Sequence, residues 1–99
     1  MDYKEFLVRL GYVRNKANLS ARELSLRMGK SAQYIGMVER GRFQLSIENL
    51  FQVLEICNFS VARFFSDDFY DYDENREIER LLENLSSDKK KSLIDFLKK

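Results

Sequence analysis

Between Lys30 and Ser46 the sequence gathers side chains suited to holding a polyanion and to reading groups displayed on it. Lys30, Arg40 and Arg42 bring positive charge, and Tyr34 and Gln44 add uncharged hydrogen-bonding groups. Gln33 carries an amide whose donor and acceptor match N6 and N7 of adenine. Ser20, Ser31 and Ser46 each stand where a helix can begin, so backbone N–H groups there can meet phosphate oxygens. The groups that would run catalysis are missing: there is no His, no cysteine pair, no glycine-rich phosphate loop and no Ser-centred elbow. Neither an enzyme nor a metal, cofactor or small-molecule ligand is expected.

These side chains need elements to position them, and the run from Ser20 to Gly41 supplies two. Ser20 followed by Glu23 is a capping box that opens a helix, and Leu24 and Met28 then fall four apart on one face. Gly29 can take the left-handed conformation that ends it. Ser31 is expected to cap a second helix over about residues 32–40, with Ile35 and Val38 inward and Gly41 ending it. Ala32, Gln33, Gly36, Met37 and Arg40 then point outward. Two short capped helices with Gly in the turn form the helix-turn-helix pattern. Neither can bury its stripe alone, so flanking helices must complete the core.

The flanking pattern is helical too. Phe6, Leu10, Val13 and Ala17 predict a first helix over Tyr3 to Lys16. Arg42 to Leu45 reads as a loop. Ser46 then caps a helix over Ile47 to Asn58, with Ile47, Leu50, Phe51, Leu54 and Cys57 as its buried stripe. Ser60 caps a short fifth helix, in which Val61, Phe64 and Phe65 close the core. Residues 67–74 alternate acids with aromatics and read as an irregular linker, without the glycine and spacing of an EF-hand loop. Ile78, Leu81, Leu82 and Leu85 predict a helix over Glu74 to Leu85, and Ser87 is expected to cap a last one, about Asp88 to Lys98. The expected division is therefore 1–66, a linker at 67–74, and a helical segment at 75–99.

The net charge of +1 hides a polarised chain. Residues 1–65 hold ten basic and six acidic side chains, whereas residues 66–99 hold seven basic and ten acidic ones. The basic part is the one that would meet phosphate. The first residues carry Asp2, Lys4, Glu5 and Arg9 and no continuous apolar run, so no signal peptide is expected, and no stretch is apolar enough for a membrane span. The lone Cys57 excludes internal disulfides and suggests a reducing cytoplasm; on its stripe it reads as a small buried hydrophobe.

Leu19-Ser20, Glu23-Leu24, Gly29, Ser31, Tyr34-Ile35 and Glu39-Arg40-Gly41, followed by Ser46, Leu50 and Phe64-Phe65, resemble the phage-repressor and Cro (XRE-type) helix-turn-helix family over roughly residues 3–65. The resemblance implies an all-α, five-helix lambda-repressor-like bundle, here followed by a C-terminal helical hairpin. It implies that the third helix enters the DNA major groove. Ala32, Gln33 and Met37 would face the bases, while Ser20, Lys30, Ser31, Tyr34, Arg40, Arg42, Gln44 and Ser46 would contact the DNA backbone. It also implies that Arg14 and Glu39 pair to brace the bundle, and that the protein acts as a homodimer; the C-terminal hairpin must bury its stripe either against a second copy, as a dimerisation element, or by folding back on the bundle. Lys30, Gly36 and Ser25 stand where the family usually has a small apolar residue, Ser and Ala. The function expected is a sequence-specific transcriptional regulator, a repressor by resemblance. The alternative is an XRE-type interaction module, such as an antitoxin, contacting a protein through residues 67–74.

Overall fold

The computed structural model describes residues 1–99, which form seven α-helices and no strands: α1 Tyr3–Lys16, α2 Ala21–Arg27, α3 Tyr34–Glu39, α4 Ile47–Ile56, α5 Val61–Phe64, α6 Tyr72–Glu83 and α7 Ser87–Leu97, with a 3-10 turn at Phe69–Asp71. No helix is long and apolar enough to cross a membrane. The chain divides into two compact units, Met1–Asp67 and Asp68–Lys99.

In the first unit the starts are set locally. Asp2, Ser20, Ser46 and Ser60 each accept a hydrogen bond from the backbone N–H three residues on, at 2.8 to 3.1 Å. At Ser20 the capping box is complete, because its own N–H donates to the Glu23 carboxylate. The bond from the Ser20 backbone, and then that from its hydroxyl, hold the Glu23 carboxyl below its usual range. The ends are equally local. α2 and α3 each finish with the paired reverse bonds of a Schellman motif: Lys30 N–H to Ser25 C=O with Gly29 N–H to Leu26 C=O, and Arg42 N–H to Met37 C=O with Gly41 N–H to Val38 C=O. Both motifs demand a positive φ, and Gly29 and Gly41 adopt +74° and +76°.

The core gathers Leu10 and Val13 of α1, Leu24 and Met28 at α2, Ile35 and Val38 of α3, Leu50, Val53 and Leu54 of α4, and Phe64 of α5. Two expected stripes are corrected. On α4, Ile47 and Phe51 are exposed and Cys57 is half-buried, while Val53 takes the inward place. Ile47, Leu50, Phe51, Val53, Leu54 and Ile56 are apolar on more than one side, so periodicity allowed the stripe to be read one step round the helix. On α5 Phe64 and Arg63 are buried, whereas Val61 and Phe65 stay exposed. Burial pushes the Cys57 thiol up, away from thiolate reactivity.

In the second unit the expected linker is partly ordered as helix. Asp68 accepts from both Asn75 and Arg76 at 2.8 Å, which folds Phe69–Asp71 into a turn and starts α6 at Tyr72 rather than Glu74. The last helix is capped by Ser86, not Ser87: the Ser86 hydroxyl accepts from the Lys89 N–H at 3.3 Å. The two serines are neighbours and chemically equal, so only the register decides between them.

Candidate nucleic-acid interface

α3 is the shortest of the three helices that would frame a DNA site, and it is held from outside itself. The expected cap, Ser31, does not cap it, and the helix begins at Tyr34 rather than at residue 32. Ser25 on α2 does the work instead. Its buried hydroxyl donates to the Ala21 carbonyl at 2.7 Å and accepts from the Ile35 N–H at 2.9 Å. One of the orphan N–H groups in the first turn of α3 is thereby satisfied by the neighbouring helix. A serine inside a helix and on its apolar face was the available signal, yet the bond spans ten residues and local sequence does not predict it. Ser25→Ala should therefore destabilise the protein by about 1–3 kcal/mol, the cost of leaving a buried N–H unpaired. Chemical denaturation measures this; a loss below a few tenths would show that water replaces the hydroxyl.

The far end of α3 is braced by charge. Arg14 Nε lies 2.8 Å from Glu39 Oε2 and its second nitrogen 2.9 Å from Oε1, a bidentate pair with both side chains mostly buried. Arg14 also donates to the Leu19 carbonyl at 2.9 Å. The hydrogen bond to Glu39 is the leading cause holding the guanidinium above its ordinary pKa.

Around this helix the candidate contact residues fall as follows. Ala32 and Gln33 lie in the turn just before α3, with Gln33 exposed and its side chain not spent on capping the helix. Met37 is half-buried on α3, and Arg40 at the C-cap donates to its sulfur at 3.0 Å. A Cβ built on Gly36 would meet only the end of Arg40, at 4.0 Å, so no neighbouring helix requires glycine there. Tyr34 is fixed from three sides. Asn49 donates to its hydroxyl at 2.9 Å, its ring tilts against Phe43 at 6.4 Å, and Lys30 Nζ sits 5.4 Å from its ring centroid. Arg42 and Gln44 are exposed in the loop before α4. Ser46 caps α4, a ten-residue helix whose first turn is tied to α3 through Asn49. Ser20 caps α2, but the Glu23 carboxylate occupies that N-terminus, which makes it a poorer phosphate site than the start of α4. Asn49 and Phe43 were not singled out from the sequence; they matter here because they position Tyr34.

A helix-turn-helix family model matches residues 10–64, more than half of the chain and all of the segment from Ser20 to Ser46. The chain belongs to the XRE-type helix-turn-helix family. Comparisons with curated proteins and with solved structures gave no significant match. At the level of the family this XRE-type chain is a DNA-binding helix-turn-helix regulator. In its fold α2 and α3 supply the helix-turn-helix, and α1, α4 and α5 complete the core beneath it.

Proposed function

We propose that this protein is a sequence-specific transcriptional repressor of the cytoplasm that binds duplex DNA as a homodimer, with α3 in the major groove. The observation that carries the reading is the surface at α3. Exposed Gln33 and Arg40 bracket it, Lys30 and Arg42 flank it, and the capped start of α4 is tied alongside by Asn49 and Tyr34. Ala32, Gln33 and Met37 face the bases in this reading. Ser20, Lys30, Ser31, Tyr34, Arg40, Arg42, Gln44 and Ser46 serve the phosphates. With one long polar side chain among the three base-facing residues, sequence preference rests on Gln33, on apolar contact with thymine methyls and on DNA shape. The lone Cys57, half-buried, supports a reducing compartment.

Selection from a random duplex pool at physiological salt tests this. A near-palindrome should emerge, with half-sites spaced to suit two α3 helices about 34 Å apart. Gln33→Ala should then lose about 1–3 kcal/mol of discrimination at one base pair per half-site, whereas Arg42→Ala should weaken binding to every sequence and lower the salt slope by about 1. If no sequence is enriched, the weight moves to the second reading, a protein-interaction module such as an antitoxin. The observation that favours that reading is the exposed apolar side of α6 and α7, where Ile78, Leu81, Ile94 and Leu97 are each half-exposed or more.

A further inference from the structure

The first unit also has a cleft where the start of α1, the start of α4 and the end of α5 meet. Tyr3, Phe6, Leu45, Ile47, Leu50 and Phe65 line it, around a volume of about 230 Å³. Its floor reaches the core, since Leu50 is 2% exposed, but its rim is open: Tyr3, Ile47 and Phe65 are 51%, 63% and 47% exposed. Phe51, four residues on from Ile47 along the same side of α4, is 49% exposed and extends the apolar surface by a turn. A contiguous open patch of this kind, rimmed by charge, marks an interaction surface.

The charge on the rim has one sign. α4 bears no basic residue, and its two acids, Glu48 and Glu55, stand within roughly 60° of Phe51 round the helix at about 100° per residue. Both are exposed, and neither is held in an ion pair. Asp2 caps α1 beside Tyr3. The cations of these elements lie elsewhere: Lys4 lines a separate groove with Val8 and Gly11, Arg9 and Arg63 are buried, and Arg42 belongs to the turn that closes α3.

We infer that this cleft docks an amphipathic helix of a different protein, one whose apolar stripe is edged by Lys and Arg. A helix is the element that fits, because Ile47 and Phe51 form a ridge one turn long with a recess beside it, and an apolar stripe at spacings of three and four can straddle the ridge and drop one turn of anchors into the recess. The rim decides the sign of the partner. A two-fold contact with a second copy sets the same surface against itself, so Glu48, Glu55 and Asp2 would face their own kind. An anionic lipid surface is repelled by the same three acids. Basic edges are the complement that remains.

The inference does not rest on DNA recognition by α3, and its test contains no DNA, so the two can fail separately. The probe is a synthetic helix of about four turns with Leu at i, i+3, i+4 and i+7 and Lys along both edges, used beside the same peptide with every Lys replaced by Glu. Titrated into isotope-labelled full-length protein, the Lys peptide should shift the NMR signals of Tyr3, Ile47, Phe51 and Phe65, with a dissociation constant of about 100 µM or tighter that weakens as salt is added. The Glu peptide should bind at least about tenfold more weakly. Glu48→Gln/Glu55→Gln should weaken the Lys peptide by about threefold or more and flatten its salt dependence, whereas Ile47→Ser/Phe51→Ser should weaken it by about tenfold or more at unchanged helical circular dichroism. Absence of shifts at the cleft overturns the inference, as do shifts confined to α6 and α7. Equal binding of the Lys and Glu peptides overturns it too, because the acidic rim would then select nothing. So does a second copy seated in the cleft, seen as signals of these four residues that change when the free protein is diluted.

Discussion

Glu39→Ala should cost about 2–3 kcal/mol of folding stability, between the 0–1 of a surface ion pair and the 3–5 of a buried one. The intermediate value follows from the geometry: the pair is bidentate, and its side chains are 16% and 19% exposed. Position adds to it. Glu39 is the last residue of α3, where the helix dipole disfavours a carboxylate, so the Arg14 guanidinium offsets both burial and dipole. Arg14→Ala should cost more than Glu39→Ala, because the Leu19 carbonyl also loses its donor. The double variant should cost less than the sum of the two singles by about 1–3 kcal/mol. Urea midpoints at unchanged slope measure all three. A Glu39→Ala loss under about 0.5 kcal/mol would place the pair among ordinary surface bridges and remove it as the brace that orients α3 on α1.

Arg9→Met is the other large effect, again about 2–3 kcal/mol. Arg9 is almost fully buried and donates at 2.7 Å to the carbonyls of both Phe64 and Ser66, while Glu5 pairs with its Nε at 3.2 Å. Phe64 is the last residue of the four-residue α5 and Ser66 lies two residues beyond it, so the guanidinium ties the exit of that helix to α1. Methionine keeps the apolar stem and removes the fork. Arg9→Lys should recover only part of the loss, since an ammonium is a point donor on a flexible stem and does not reproduce the planar fork. If lysine and arginine prove equal in thermal unfolding, the contribution is charge alone and not the two directed bonds.

What the sequence disclosed tracks how far apart the interacting residues are. The caps at Ser20, Ser46 and Ser60 and the left-handed turns at Gly29 and Gly41 depend on neighbours within five positions, and all are legible in the chain. The five-helix bundle followed by two more helices was legible because stripes and caps recur in order, and because the residue pattern resembles a known family. The cap of α3 was not legible, because its acceptor lies on α2 and Ser31 offered a plausible local substitute. On α4 the burial of Leu50 and Leu54 was legible but that of Val53 was not, because Phe51 and Val53 are equally apolar and only the packed core chooses between them. Arg9 is not singled out by the sequence, because nothing within its own helix reveals carbonyls arriving from residues 64 and 66.

The reach of that same arginine has a consequence for synthesis. Its bond to Ser66 joins residues 57 positions apart, so α1 lacks its last partners until the whole first unit has been made. At about 5–20 residues per second a ribosome needs roughly 3–11 s to add that length. Throughout that interval Leu10 and Val13 have no completed core to enter. The nascent chain therefore passes through a stage in which its first helix is sticky and unfinished, and the arrival of α5 closes the unit from its opposite end.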